Sequence, residues 1–340
     1  MPIMKYRTKT LVALGGLIPE IIYVMCGARG EISNPLRRAL PQLKFIGFEP
    51  DVQEHHRLNQ TAVHGSTYLN AAVGARHEQR IFYRTRNPGC SSLLRPNARF
   101  CSSFKDCGPD LEVVEETVID TVPLDSFLPK FGVRQIDFLD LDTQGSELEI
   151  LHGAEGFLAA DIAAVKCEVE FSPLYQDQPM FGDVDDYLRR FGFMLFDMSR
   201  SRYRRANFPP QALTRGQLLW GDALYLRDYA WFVARSAKLP LFKLCLLAAH
   251  LQFHDYALAI LDSLLAGEGG TLTAEEQIAL IKARKQYLAD LAKGARWIGL
   301  LQGFEALGLK RPLKLLGRLT SQLGERLRKD TMMTEYNWVD

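Results

Sequence analysis

The chain has 340 residues, 47% of them hydrophobic and 24% charged, the profile of an ordinary globular protein with room for one large domain and a smaller one. Its 41 basic and 40 acidic residues leave a net charge of +1, so no overall field recruits nucleic acid and any such role needs a local patch. The six cysteines form no CxxC pair, which argues against a zinc–thiolate centre and fits a reducing, cytoplasmic setting.

The basic opening MPIMKYRTKT and the apolar LVALGGLI resemble a secretory signal only loosely, because the apolar run is short and closes at Pro19-Glu20. No apolar stretch reaches the about 20 residues that span a bilayer. Ile21–Met25, Phe45–Glu49, Thr67–Val73, Phe138–Asp142 and Ala163–Glu170 are nearly continuous apolar or β-branched runs, as strands buried on both faces require. Helices are predicted between them, over Asn34–Leu40, Asp51–Asn59 and Ser146–Phe157. This alternation predicts an α/β, doubly wound sheet. Asp183–Arg190 predicts a further helix. Phe193–Asp197 and Ala223–Leu226 then predict an antiparallel edge hairpin around a basic, proline-containing loop.

Composition changes after Tyr229. Residues 230–340 carry no strand signal, and Phe253, Tyr256, Ala257, Ile260, Leu261, Leu264 and Leu265 form a stripe at helical spacing. Gly267–Gly270 breaks that helix, and Thr273 is placed to cap another. Leu316, Leu319, Leu323 and Leu327 mark a last amphipathic helix. The expected domains are thus 1–229 and an all-helical extension, 230–340. Such a tail serves as a packing cap, a homodimer interface or a helical surface for a partner.

The first predicted strand ends in Met25-Cys-Gly-Ala-Arg-Gly-Glu31. A glycine turn there brings backbone close to a nucleotide-like ligand, although such turns also serve geometry alone. The run is not GxGxxG, so a pyrophosphate site is not supported. Glu49 ends the second strand at about the 20-residue interval where nucleotide-binding α/β folds place a ribose-binding carboxylate. Its alternative role is a solvated strand-end acid.

Asp140-Leu-Asp142-Thr-Gln-Gly145 closes the fourth strand, and strand parity sets Asp140 and Asp142 on one face. In an open parallel sheet the ligand crevice lies outside the carboxyl ends of the strands, which would present Asp142 and Gln144 to it. Asp142 also suits a helix N-cap. Glu168 and Glu170 share a face one strand on. Together these acids suit a raised-pKa base, a hard-cation site or plain surface charge, and no metal ligand is assigned.

The ordered series Gly27-Ala-Arg-Gly30, Phe48-Glu-Pro50, Asn70-Ala-Ala-Val-Gly74, Ser91-Ser-Leu-Leu94, Leu124-Asp125 and Phe138 through Ala154 resembles the FkbM family of methyltransferases. The similarity spans roughly residues 20–200 and leaves the helical tail outside it. It implies a class I methyltransferase (Rossmann-like) fold, with a mostly parallel seven-stranded sheet and an antiparallel edge hairpin. It also implies S-adenosylmethionine (SAM) as cofactor, with Gly27, Ala28, Glu49, Asn70, Ala71 and Ala72 around it. Two positions depart from the family pattern: Met25 stands where an acidic residue is usual, and Asp140 where lysine is.

Methyl transfer to a hydroxyl is an in-line displacement that needs positioning and a general base. Asp142 is the first candidate base, Glu170 the second and His152 a distant third. Ser91, Ser92 and Gln144 are expected to contact the acceptor, although loop serines also form turns. Two readings stay open. One is an O-methyltransferase acting on a glycan, glycolipid or secondary metabolite; the other is a degenerate methyltransferase fold that acts as a scaffold through its tail. A nicotinamide enzyme is disfavoured by the missing glycine fingerprint.

Overall fold

In the computed structural model, the described residues are 17–18, 20–29, 40, 42–105, 107–209 and 212–306, with side chains to Ala292. The helix predicted over Asn34–Leu40, apart from Leu40 itself, and the helix marked by Leu316–Leu327 lie outside them. The chain divides into two compact units, one comprising Ile21–Ile32 and Leu43–Asp228 and the other including Tyr229 onward.

The first unit begins with β1 (Ile21–Cys26), β2 (Leu43–Phe48), helix α1 (Val52–Gln60), β3 (Ser66–Leu69) and β4 (Ala72–Val73). A hairpin of β5 (Glu78–Thr85) and β6 (Val113–Val122) follows, then β7 (Phe138–Leu141), α2 (Glu147–His152), α3 (Glu155–Ala159) and β8 (Ala164–Glu170). The unit closes with α4 (Phe181–Arg190), β9 (Phe193–Met198), β10 (Ser201–Tyr203) and β11 (Gln217–Arg227). The main sheet runs β3-β2-β1-β7-β8-β11, with β9 and β10 both paired to β11. Strands β3, β2, β1, β7 and β8 are mutually parallel, and β11 is antiparallel to its neighbours. The expected α/β sheet with an antiparallel edge is therefore present.

Three details differ from expectation. The sheet has eight strands rather than seven. Ser199 N still donates to the Asp222 carbonyl at 2.9 Å, but the Asp222 amide turns to the Ser199 hydroxyl at 2.8 Å, which donates to the Asp222 carboxylate at 2.9 Å, and the edge strand is interrupted there between β9 and β10. The strand predicted over Thr67–Val73 is also divided. Its first half is β3, while β4 leaves for a second sheet of order β4-β6-β5. Finally, the helix predicted over Ser146–Phe157 breaks into α2 and α3 at Gly153, where a Cβ would stand 2.2 Å from the Gly74 carbonyl oxygen.

Alternation across the pleat gives the sheet two unlike faces. Val24, Ile46, Leu139, Leu141, Val165 and Tyr225 share a core with Ile150, Leu151, Leu158 and Leu188 from the helices. Each such fully buried aliphatic side chain contributes about 1.5–3 kcal/mol. The other face carries charge. Tyr23 Oη donates to Asp140 at 2.5 Å, and Lys166 Nζ lies 3.3 Å from Asp140 and 2.9 Å from Asp222. Burial opposes the Lys166 charge, but Asp140 and Asp222 outweigh it and raise its pKa above the ordinary lysine value. Cys26, Cys167 and Cys245 are fully buried, as their apolar surroundings in the sequence lead one to expect.

In the second unit, α5 (Lys238–His250), α6 (His254–Leu265) and α7 (Ala274–Ala306) follow one another. The predicted stripe is the buried side of α6, through Ala257, Ile260, Leu261 and Leu264. Thr273 Oγ1 accepts the Glu276 amide while Glu276 accepts that of Thr273, a reciprocal cap. Among the described residues no helix is long and apolar enough to cross a membrane.

Candidate functional site

The crevice forms where β1, β2 and β7 end. Gly27 turns with φ +83°, and a Cβ on it would stand 1.8 Å from the Asp142 carbonyl oxygen, so only glycine lets these strand ends close together. The Gly27 and Ala28 amides both donate to the Phe48 carbonyl, at 3.2 and 2.9 Å. Gly27 lines the crevice, whereas Ala28 is fully buried behind it and serves the turn.

Glu49 is 3% exposed yet lines the same crevice. Its Oε1 accepts the Asp51 amide at 2.9 Å, and Arg29 Nη2 stands 3.8 Å from that oxygen and 2.9 Å from Asp51. Oε2 takes no donor from the described residues. Burial raises the Glu49 pKa to about 6, against the lowering effect of the Asp51 amide and Arg29. Asn70 donates from Nδ2 to the Glu49 and Pro50 carbonyls at 2.9 and 3.0 Å, so it ties the loop after β2 to that after β3. Its neighbours Ala71 and Ala72 line the crevice. Phe82 of β5 also lines it, a residue that sequence patterning did not single out because it belongs to an unpredicted hairpin.

At the other end, Gln144 is the hub. Its backbone has φ +62°, an uncommon conformation for a residue with a side chain. Nε2 donates to Asp142 Oδ1 at 2.9 Å and Glu168 Oε2 at 2.5 Å, while Oε1 accepts from Tyr175 Oη at 2.9 Å. The Ser92 hydroxyl donates to the Gln144 carbonyl at 2.7 Å and is 1% exposed, so Ser92 supports the turn and does not line the crevice. Ser91, Asp142 and Gln144 do line it.

Asp142 is no helix cap. Helix α2 starts after Ser146, and Glu147 secures the preceding turn by accepting the Thr143 and Gly145 amides at 2.6 and 2.8 Å. Burial raises the Glu147 pKa to about 7 despite those bonds. It raises Asp142 as well, against Lys166 and Gln144. Glu168 and Glu170 are raised far above the carboxylate range by burial and then by neighbouring carboxylates, chiefly Asp142 for Glu168 and Glu147 for Glu170. Glu170 is 3% exposed and does not line the crevice. His152 lies in the last turn of α2 and packs edge-on against Tyr187 at 4.6 Å. Met25 shares the β1 face of Tyr23, opposite Cys26, and pairs with Gly47 and Asp140. Among the described residues no group of His, Cys, Asp and Glu is arranged to hold a metal.

The donor set suits a cofactor with a ribose ring. A buried carboxylate with one oxygen already fixed by an amide offers the second to hydroxyl donors, and a glycine turn beside it admits close backbone approach.

The fold is similar to that of magnesium protoporphyrin IX methyltransferase from Synechocystis PCC 6803, at 12% identity over 66% of this chain and 80% of that one, with a TM-score of 0.33. It is also similar to methyltransferase FkbM from Methylobacillus flagellatus KT, at 15% identity over 61% of this chain and 43% of that one, with a TM-score of 0.34. No curated protein matches the sequence. The model of the methyltransferase FkbM domain matches residues 26–195, half of the 340-residue chain. The chain belongs to the FkbM methyltransferase family.

Proposed function

We propose that the chain binds SAM at the Gly27–Glu49–Ala72 end of the crevice and methylates an acceptor hydroxyl held against Asp142 and Gln144. The observation that carries this reading is Glu49: a buried carboxylate, fixed through one oxygen by an amide, that lines the same crevice as the Gly27 turn. Glu49 would hold the ribose hydroxyls, Ala71 and Ala72 would lie by the adenine, and Phe82 would cover it. When bound, SAM supplies a methyl group activated by its sulfonium. Asp142 would accept the hydroxyl proton of the acceptor, with Gln144 holding its Oδ1 in place. The raised pKa of Asp142 makes it a better proton acceptor than an ordinary aspartate. Ser91 would be an acceptor contact at the rim, while Glu170, buried away from the crevice, would stay protonated and take no proton from the acceptor.

The acceptor class we favour is a glycan, glycolipid or secondary metabolite, and the setting is cytoplasmic. Residues 230–340 are assigned to a helical extension, with a homodimer contact as its proposed use. Isothermal titration with SAM tests the reading, which predicts saturable binding. Absence of binding at millimolar SAM would sink it. A second reading, a scaffold without turnover, is motivated by Met25 at the position where the family carries an acid. If Met25→Asp created SAM binding in an otherwise inert protein, the scaffold would be favoured; turnover by the wild type would end it.

A further inference from the structure

The hairpin between β10 and β11 has no role in the crevice, yet its composition is extreme. Residues 199–216 contain five arginines and no acidic residue, in a chain whose net charge is only +1. The fold gathers these charges together. Lys105 N donates to the Arg204 carbonyl at 3.0 Å, and Ala206 N to the Ser103 carbonyl at 2.9 Å, which lays the 103–105 segment along the hairpin. Arg202 Nη1 donates to the Gly216 carbonyl at 3.2 Å, drawing Arg202 toward Arg215. Arg205 stacks 4.2 Å above the Phe104 ring and donates to Gln217 Oε1 at 2.6 Å. Arg202, Arg204, Arg205, Arg215 and Lys105 are all exposed, and Leu213 beside Arg215 is 100% exposed.

A fully exposed leucine within a basic collar is the pattern of a surface that meets anionic headgroups with charge and the acyl boundary with an apolar tip. Nucleic acid fits less well. Bases are bound through stacking on open aromatic faces, whereas Phe104 is 2% exposed beneath Arg205 and the exposed tip is aliphatic. Phe104 belongs to a small core with Leu174 and Tyr175, and Tyr175 reaches Gln144. The basic surface and the crevice wall thus share one packed layer.

We propose that the basic face made by Lys105, Arg202, Arg204, Arg205 and Arg215 docks the protein on an anionic lipid bilayer, Leu213 entering the headgroup boundary. The inference does not depend on methyl transfer. Its test is sedimentation of the full chain with vesicles of phosphatidylcholine alone or mixed with phosphatidylglycerol. Binding is expected only to the mixed vesicles, and it should weaken sharply as salt rises from about 50 to about 300 mM. Leu213→Ser should weaken it about tenfold, and the pair Arg204→Gln and Arg215→Gln about twentyfold, with thermal unfolding midpoints matching wild type to show that folding is intact. Equal binding to pure phosphatidylcholine, or full binding by Leu213→Ser, would overturn the proposal. So would release from vesicles by millimolar inorganic phosphate, which would mark a free-phosphate site. Tight binding to a DNA duplex that Leu213→Ser leaves unchanged would overturn it in favour of nucleic acid.

Discussion

Glu49 and Gln144 show how much a single side chain depends on what the backbone beside it has already spent. The Asp51 amide occupies one oxygen of Glu49, so replacing the acid with glutamine should leave the loop intact and weaken only the ribose contact. Glu49→Gln is expected to lower SAM affinity about tenfold to a hundredfold, the range of a charge-assisted hydrogen bond, as read by titration calorimetry. The same residue sets a pH dependence. Its pKa is raised from 4.5 to about 6 in the folded protein, so between those values the folded state holds more protons than the unfolded one. Its contribution to stability therefore falls as pH rises from 4.5 to 6. SAM affinity runs the other way, since ribose needs the carboxylate, and it should climb through pH 6. Glu49→Gln should flatten both profiles. Tyr175 acts one residue removed. Its hydroxyl fixes Gln144 Oε1, which leaves Nε2 pointing at Asp142 and Glu168. Tyr175→Phe should cut kcat about tenfold, leave KM unchanged and shift the acid limb of the pH profile through Asp142. An unchanged acid limb would reduce Tyr175 to packing.

Elements explain which parts of this were legible in the sequence. Glu49 was legible because strand end and glycine turn come at a fixed interval in one βαβ unit, and Gly27 because no other residue tolerates its place. Phe82 was not, since it arrives from a hairpin far along the chain, and no local period reports a long-range approach. The β5–β6 hairpin escaped notice because its strands are charged on both faces, with Arg80, Arg84, Glu115 and Glu116 among the apolar residues. Ser92 and Ala28 were placed in the right segments but do structural work, because proximity in sequence does not say which atoms face outward. The charged face of the sheet makes its own prediction. Lys166 joins β7 and β11 through Asp140 and Asp222. Lys166→Met would leave the buried Asp140 and the half-buried Asp222 without their cation and should cost about 3 kcal/mol, read as a lowered urea midpoint.

At the scale of the whole molecule, the enzyme and scaffold readings differ in one measurable way. Every proposed SAM contact belongs to the unit of Ile21–Ile32 and Leu43–Asp228, and none to the unit that includes Tyr229 onward. A ligand that binds only the folded form at a hundred times its Kd stabilises that form by about 2.7 kcal/mol. For a unit of this size the unfolding midpoint should then rise by roughly 5–10 °C. If the protein melts in two steps, only the step belonging to the sheet unit should move, because linkage acts on the unit that carries the contacts. A scaffold that has lost its cofactor predicts no movement in either step at millimolar SAM. Differential scanning calorimetry with and without SAM separates these outcomes before any acceptor is known. Met25→Asp measured alongside would show whether the missing acid at the end of β1, rather than the crevice itself, limits binding.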